Sequence, residues 1–277
     1  MTLKMHQEMM KKLDGGQAGE IGMDYAFNFH CDRRCMGRCC NTIKIILDPW
    51  DVEAMARHLG MSGRDFLDRF CELEEDPRSG WPYVKLYDAE RGPCAFLMEE
   101  GKCMVYPARS RNCRTYPVGR AVRFGPDGKK EEKFFMVEKQ VFCFGHSGAR
   151  RWTLREWLED SDAPAYYNRS DLYFQLISYA DSVLQVGRWM NSRIARMIMP
   201  FLYGPEVLRA KMGISPEEVS HEEFYSRRMK ALKVLLTELA AGFGFGPLVK
   251  GGAGEEVEDA SVMEKVRGVL LTGETDL

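Results

Sequence analysis

Long hydrophobic runs and an excess of charge of either sign are both missing from this sequence. No stretch approaches the roughly 20 consecutive apolar residues that a membrane-spanning helix needs. The 39 basic residues nearly balance the 41 acidic residues, so no global field favours nucleic acid or an anionic membrane as a partner. The first residues are polar and charged, unlike the apolar core of a secretory signal, and we therefore expect a cytoplasmic protein.

Common catalytic motifs are also absent. The sequence contains no P-loop, no G-x-S-x-G elbow and no H-E-x-x-H pair. The Gly-rich run at 242–246 lacks the strand-to-helix context of a nucleotide-binding loop. A C-x3-C spacing occurs in radical S-adenosylmethionine enzymes too, but the alternation of strands and helices that their barrel requires is missing here. These motifs therefore assign no reaction to the chain.

Cysteine is absent from the last 134 residues of the chain. All nine cysteines lie at or before Cys143 in a chain of 277 residues. In a reducing compartment a disulfide framework is a poor explanation, and an odd number of cysteines cannot pair completely within one chain. The concentration of thiols favours metal coordination or redox chemistry in the first half.

Four of the cysteines occur within ten residues. The run Cys31-x3-Cys35-x3-Cys39-Cys40 lies in the polar and basic segment HCDRRCMGRCC, which is untypical of cysteines buried singly in a core. The neighbouring arginines favour the thiolate, which is the form that binds metal. The grouping of the later cysteines with this run favours shared ligation. These later candidate ligands are Cys94, Cys103, Cys113 and Cys143.

The order of these motifs resembles the YkgJ family of cysteine-cluster proteins, whose pattern begins with a CxxCxxCC run. The resemblance spans about residues 27–148 and includes the motifs GPCAFL, KCMVYPARSRNCRTYP and CFG. It implies a bacterial protein that chelates zinc or iron through its cysteines. The matching residues are Cys31, Cys35, Gly37, Cys39, Cys40, Cys94, Cys103, Tyr106, Arg109, Cys113, Arg114, Pro117 and the segment from Cys143 to Gly145.

The sequence departs from the family pattern in three places. The first run has x3 spacings where the usual form has x2, and Ser110 and Phe144 stand where the family usually has proline. No ligand is lost by these changes. The wider spacing leaves the metal open, however, because a zinc knuckle favours the tight turn of C-x2-C.

Eight thiolates suffice for two four-cysteine sites or for one site with a redox-active remainder. Two sites would hold either two [4Fe-4S] clusters or two zinc ions. On most backbones the side chains of adjacent Cys39 and Cys40 point in different directions, so we expect them to be divided between two sites or one to lie outside coordination. We expect an iron-sulfur cluster because the x3 spacing and the long separations suit a large inorganic body, and zinc is the alternative.

Two histidines and two arginines lie beside candidate ligands. His30 and His146 could bind a metal, although solvent-facing or hydrogen-bonded histidines are the more common case. Arg109 and Arg114 bracket Cys113 and belong to the matched motif. They are our candidates for cofactor binding, since an arginine can offset the charge of a thiolate-ligated cluster, and an ordinary surface salt bridge is the alternative.

Patterning predicts an α+β protein, in which a small cysteine-rich metal-binding domain with short antiparallel strands is followed by a helical region. Strands are expected at 41–47, 83–87, 94–98 and 103–106, with a hairpin formed by 119–124 and 131–138. Helices are expected at 49–60, 62–73, 107–114, 154–160, 163–184, 188–199, 221–241 and 261–271. Cys71 lies on the apolar side of the second of these helices and is expected in the core.

We expect four segments along the chain. These are an N-terminal extension at 1–26, a cysteine-cluster domain at 27–150, a helical region at 151–243, and a Gly-rich acidic linker with a terminal helix at 244–277.

Three hypotheses for function follow, and whether the protein is an enzyme stays open among them. The first is an iron-sulfur protein with an electron-transfer or oxidoreductase role, acting with an unidentified protein or redox partner. The second is a zinc-stabilised module that binds another protein. The third is an iron-sulfur enzyme such as a protein methylase, because a branch of flagellin lysine methylases has a similar cysteine motif; it requires a cluster iron without a thiolate ligand.

Overall fold

The computed structural model describes residues 2–41, 44–87, 92–125, 127–247 and 259–275. Within these ranges the chain forms ten α-helices and eight short strands, and every strand pair is antiparallel. The predicted α+β class, with short antiparallel strands early in the chain and a largely helical region later, is confirmed. None of the described helices combines the length and the apolar character needed to cross a bilayer.

Helices and strands follow one another in three short sheets. The helices are α1 (Leu3–Asp14), α2 (Pro49–His58), α3 (Gly63–Phe70), α4 (Arg111–Thr115), α5 (Leu154–Asp160), α6 (Ala163–Ser182), α7 (Ser192–Tyr203), α8 (Pro205–Met212), α9 (His221–Gly242) and α10 (Asp259–Thr272). The strands are β1 (Glu20–Ile21), β2 (Ala26–Asn28), β3 (Ile46–Leu47), β4 (Cys71–Glu75), β5 (Pro82–Leu86), β6 (Val118–Phe124), β7 (Lys130–Met136) and β8 (Arg151–Thr153). The sheet orders are β1-β7-β6, β2-β8 and β3-β5-β4.

The predicted starts of α2, α3 and α5 are confirmed to within one residue, and capping residues account for them. Asp48 caps α2 in a reciprocal capping box with Asp51, and Pro49 occupies the first helical position. Ser62 caps α3, and a second capping box begins α5. The hairpin of β6 and β7 and the helices α6, α9 and α10 also lie where the patterning predicts them. Residues 42–43 of the first predicted strand and 248–258 of the predicted linker lie outside the described residues.

The prediction of a helix through residue 73 was wrong. Helix α3 ends at Phe70, and Cys71 begins β4, which pairs with β5. In this strand Cys71 is buried and Leu73 is exposed, because alternate residues of a strand face opposite sides. Pairing with a distant strand therefore overrides the local helical spacing. Cys71 lies in the core, as expected.

The strands predicted at 94–98 and 103–106 were also wrong. Only an isolated bridge between Leu97 and Cys103 forms there, within a series of tight turns. The helix predicted at 107–114 divides into a single 3-10 turn at Tyr106–Ala108 and the short helix α4. Ser110 caps α4 by accepting a hydrogen bond from the Cys113 amide.

Helix α7 differs from its predicted range of 188–199. It starts at Ser192, capped by Asn191, and extends to Tyr203 with Pro200 inside it. Proline costs a helix one backbone hydrogen bond. The last turn nevertheless forms, because Phe201, Leu202 and Tyr203 are all buried.

One hydrophobic core contains residues from both halves of the chain. Its buried members include Leu47 and Phe96 from the cysteine-rich half together with Phe174 and Leu235 from α6 and α9. A smaller cluster surrounds Phe29, beside the candidate ligand Cys143. The helical half therefore packs directly on the elements that carry the thiols, and the predicted division into four segments stays a prediction.

The N-terminal helix α1, which the sequence analysis did not predict, packs against strand β6. Its His6 is buried, with its ring 4.3 Å from that of Phe174. His6 Nδ1 accepts a hydrogen bond from the Val122 amide at 3.1 Å. Burial, followed by nearby positive charges that include Arg111, holds the pKa of His6 well below its usual 6.5. The native protein therefore keeps this imidazole neutral.

We predict that protonation linked to His6 destabilises the protein at acid pH. Below the ordinary histidine pKa of 6.5 the unfolded chain binds a proton that native His6 does not. The free energy of unfolding therefore decreases as pH decreases, and His6 accounts for at most about 1.4 kcal/mol of this decrease per pH unit. Urea unfolding at pH 7.5 and 5.5 should show a smaller pH-dependent loss for His6→Gln than for the wild type. The matched control is exposed His58→Gln, and equal losses in all three proteins would contradict the prediction.

Candidate metal centre

The eight candidate ligands lie on turns and short helices and form two neighbourhoods of four thiols. We call Cys31, Cys35, Cys39 and Cys143 the first thiol set. We call Cys40, Cys94, Cys103 and Cys113 the second thiol set. All nine cysteines of the chain lie outside disulfide bonds, and Cys31, Cys39 and Cys113 are exposed.

Electrostatic coupling identifies the first thiol set. Desolvation raises the pKa of Cys31, and the thiolates of Cys39, Cys35 and Cys143 raise it further. Tyr116 faces the same sulfurs. Burial raises the pKa of its phenol, and so does a hydrogen bond to Cys143. Four thiols from the cysteine run and from the segment after the hairpin therefore surround one region.

The second thiol set is connected through Cys40 and Cys94. The Cys94 amide donates a 2.8 Å hydrogen bond to the Cys40 carbonyl oxygen. Desolvation raises the pKa of Cys113 to about 12, although the residue keeps an exposed surface, and the thiolates of Cys94 and Cys103 contribute to the same shift. These four sulfurs thus influence one another, and Cys39 of the first set contributes to the pKa shifts of Cys40, Cys94 and Cys103.

Adjacent Cys39 and Cys40 lie where the two sets meet. Their Sγ atoms are 4.0 Å apart. Hydrogen bonding between the two side chains lowers the pKa of Cys39 and raises that of Cys40. After desolvation, the Cys39 thiolate is the largest cause of the raised pKa of Cys31, and it also raises those of Cys94 and Cys103. Cys40 is linked to the second set through its carbonyl oxygen and through the charges of Cys94 and Cys113. We therefore group Cys39 with the first set and Cys40 with the second, and Cys39 lies near both.

The donor chemistry of the two sets fits either zinc or an iron-sulfur cluster. Thiolates are ligands for both, and each set supplies the four that such a site needs. In the described part of the chain, no three His, Cys, Asp or Glu side chains lie close enough together to hold a single ion. The two sets are therefore neighbourhoods of sulfur donors and not preformed sites for a single ion.

Two glycines let the cysteine run pack against the 94–103 turn. Gly37 has φ of +80°, and a Cβ there would lie 2.9 Å from Leu97 Cδ1. Gly101 has φ of +77°, and a Cβ there would lie 3.1 Å from the Met36 carbonyl oxygen. Larger residues would force these two segments apart, and with them the halves of the second thiol set.

The hairpin of β6 and β7 returns the chain towards the cysteine run, and the Cys143 thiolate contributes to the raised pKa of Cys31. Close packing then fixes the segment after Cys143. The His30 amide donates a 3.0 Å hydrogen bond to the Gly145 carbonyl oxygen, and a Cβ on Gly145 would lie 2.7 Å from the Phe29 ring. The first thiol set is therefore supported by aromatic packing.

Helix α4, which carries Cys113, is held by a buried ion network. At five residues it is too short to be stable alone. Arg111 Nη1 contacts carboxylate oxygens of both Asp48 and Asp51, and the Arg111 amide donates to Asp51 at 2.8 Å. The hydroxyl of Ser170, on α6, also donates to Asp48. This network anchors α4 to α2 and to the helical half of the protein.

Arg114 supplies further contacts that hold α4 in place. Arg114 donates to the carbonyl oxygens of Pro107 and Ser161, at 2.7 and 2.9 Å, and its guanidinium lies 4.0 Å above the ring of Tyr166. These contacts orient the Arg114 guanidinium towards backbone carbonyl oxygens. Its role in cofactor binding stays a prediction.

Arg109 lies closer to the thiols. It lies 3.8 Å above the Tyr106 ring and donates to the Tyr106 carbonyl oxygen. The pKa of Cys103 is raised by desolvation and then by Cys94, and the charge of Arg109 opposes this shift. Arg109 thus favours the Cys103 thiolate and remains a candidate for cofactor binding.

Tyr116 is a candidate functional residue that the sequence analysis missed. Besides its hydrogen bond to Cys143, its phenol oxygen lies 3.4 Å from His146 Nε2. It belongs to the matched RTYP segment, but an aromatic residue at such a place is usually interpreted as core. His146 therefore contacts the first set through Tyr116, and His30 is exposed.

Comparison with protein-family models matches residues 30–143 to the CxxCxxCC family, described as a putative zinc- or iron-chelating domain. The match covers about two fifths of the chain and includes every member of both thiol sets. The resemblance predicted from the motif order is confirmed for this segment, and the family description supports metal binding. No curated protein and no solved structure matched the chain.

We predict that removing the charge of Arg111 destabilises the protein strongly. Arg111→Met leaves two buried carboxylates uncompensated, which should lower the free energy of unfolding by about 3–5 kcal/mol. Urea denaturation measures this change. Arg64→Met is the matched control, because Arg64 forms only an exposed pair with Asp68 and should leave stability near that of the wild type. Equal stability of the two variants would refute the anchoring role.

Proposed function

We propose that the cysteine-rich part holds two iron-sulfur clusters and that the protein transfers electrons. The first thiol set would ligate one [4Fe-4S] cluster and the second thiol set the other. The main support is the division of the eight thiols into two sets of four, with Cys39 and Cys40 on opposite sides of the division. Two-cluster ferredoxins likewise use one cysteine run to serve both clusters.

Electron transfer suits this ligand set better than catalysis at an iron. Four thiolates per cluster leave no iron open to a substrate. Electron transfer requires only that a cluster edge approach a redox partner, and Cys31, Cys39 and Cys113 are all exposed. The partner would be another redox protein that docks on this face.

A zinc-stabilised module is the second candidate function. Two thiolates on one tetrahedral zinc, with Zn–S bonds of about 2.3 Å, lie about 3.8 Å apart. The 4.0 Å between the Sγ atoms of Cys39 and Cys40 is close to this value. In that case the metal would hold the turns in place and its binding energy would stabilise the fold.

We predict that anaerobically purified protein is brown and contains about eight iron atoms and as many acid-labile sulfides per chain. Cys35→Ala should lose about half of the iron by removing a ligand of the first set. Cys103→Ala should lose the other half. Metal analysis and the visible spectrum measure both effects.

Cys71→Ala is the matched control, because Cys71 is a core residue of β4 outside both sets, and its iron content should equal that of the wild type. Colourless protein with stoichiometric zinc would replace the iron-sulfur proposal with the zinc module. Loss of all metal from each ligand variant, with Cys71→Ala unaffected, would contradict two separate sites.

We further predict that Tyr116→Phe makes the reduction potential of one cluster more negative. Hydrogen bonds to cluster sulfurs stabilise the reduced state, and this variant removes the one from Tyr116 to Cys143. Redox titration followed by electron paramagnetic resonance measures the potential of each cluster. Tyr25→Phe, at an exposed tyrosine, is the control, and identical potentials in all three proteins would exclude Tyr116 from the first cluster's environment.

A further inference from the structure

We propose that a cleft between α2, α6 and the turn at 106–108 binds a small zwitterion that carries a carboxylate and an ammonium group, as a free amino acid does. The cleft has a volume of about 410 Å³, which is within the range of small-molecule sites. It contains none of the thiols, so this proposal does not depend on the identity of the metal. Its walls are formed by residues of α2, of the turn at 106–108 and of α6, by Asp162 before α6, and by Glu222 of α9.

The α2 wall of the cleft carries a guanidinium and an imidazole. Arg57 and His58 lie in the last turn of α2 and are exposed. Among the described residues, neither side chain forms a hydrogen bond or an ion pair. The Arg57 guanidinium is therefore available to bind a carboxylate through two parallel hydrogen bonds.

A carboxylate is available on the α6 wall. Asp162 precedes α6 with a left-handed backbone, at φ of 53°, and its side chain makes no capping hydrogen bond to the helix. Asp162 is exposed and, in the described part of the chain, has no ion-pair partner. This group can accept hydrogen bonds from an ammonium group.

The other two charged residues of the cleft offset each other. Arg169 lies 4.0 Å from Glu222 and 5.1 Å above the ring of Trp50. Because the charges of Arg169 and Glu222 offset each other, the Arg57 guanidinium on the α2 wall and the Asp162 carboxylate on the α6 wall remain for a ligand to contact. A ligand with one charge of each sign complements both walls, whereas a nucleotide would bring several negative charges next to Asp162.

The size of the lining residues limits the body of the ligand. Ala54, Ala108, Ala165 and Pro107 present small apolar surfaces between the charged walls. Such surfaces suit a short aliphatic chain better than a second charged group. A neutral amino acid such as alanine matches both the charges and the apolar surface.

Isothermal titration of the full-length, metal-loaded protein tests the proposal. The probes are glycine, L-alanine and L-valine, with acetate and ethylamine as ligands that carry only one of the two charges. We expect the amino acids to bind about tenfold or more tightly than either single-charge probe, because each lost charge-assisted hydrogen bond reduces affinity by about that factor. Saturable binding of at least one amino acid is the expected result.

Two variants assign the binding to this cleft. Arg57→Ala and Asp162→Asn, at exposed positions that leave the core intact, should each weaken amino-acid binding about tenfold or more. Arg64→Ala, on the exposed face of α3, should bind as the wild type does. The absence of binding by all three amino acids, equal binding of acetate, or unchanged affinity in both cleft variants would overturn the proposal.

Discussion

The buried contact of Arg111 with Asp48 and Asp51 is the interaction on which the arrangement of this protein depends. It joins the start of α2, the short helix α4 and, through Ser170, the middle of α6. Burial raises the pKa of Asp51 to about 6, and the neighbouring Asp48 raises it too, while Arg111 opposes both effects. Burying two carboxylates is costly unless every oxygen finds a partner. Here the Arg111 guanidinium, the Ser170 hydroxyl and the backbone amides of Asp48, Asp51 and Arg111 supply those partners.

The two thiol sets have different supports, and this difference has a physical consequence. The second set depends on the ion network behind α4 and on the contact of Gly37 with the 94–103 turn. The first set depends on aromatic packing, in which the ring of Phe29 lies 5.6 Å from that of Tyr116 and 5.3 Å from that of His146. Sites carried on loops hold their geometry only when neighbouring side chains fix them. A change in one support should therefore leave the other set largely in place.

Sequence reasoning succeeded where a feature depends on neighbouring residues. The capping boxes at Asp48 and Thr153 are local hydrogen-bond patterns, and both helices begin as predicted. It failed where distant contacts decide the structure. Cys71 enters a strand because β5 pairs with it, and Pro200 stays inside α7 because the following turn is buried. No local pattern contains that information.

The candidate site shows the same limit. Spacing and motif order name eight thiols as candidate ligands, and they predict that Cys39 and Cys40 are divided between two sites or that one lies outside coordination; both stay predictions. The sequence does not indicate which four thiols share each neighbourhood. Among the arginines, the sequence directed attention to Arg109 and Arg114 because they bracket Cys113. The arginine that anchors this helix is Arg111, whose carboxylate partners lie about 60 residues earlier in the chain. Its importance depends on tertiary packing, which the sequence pattern does not show.

The helical half is more than an attachment to the metal-binding segment. Its residues share a core with the cysteine-rich half. Ser170 donates a hydrogen bond to Asp48 of the buried ion network, and the Ser161 carbonyl oxygen accepts one from Arg114 of α4, the helix that carries Cys113. Metal binding would order turns that contain little regular secondary structure, and the energy of such binding contributes to folding. Because α4 is fixed on one side by α6 and would be fixed on the other by a metal, order at the thiols and packing of the helices should stabilise each other. The 134 residues that follow the last cysteine thus contribute the rigid side of a candidate site whose expected ligands all lie at or before Cys143.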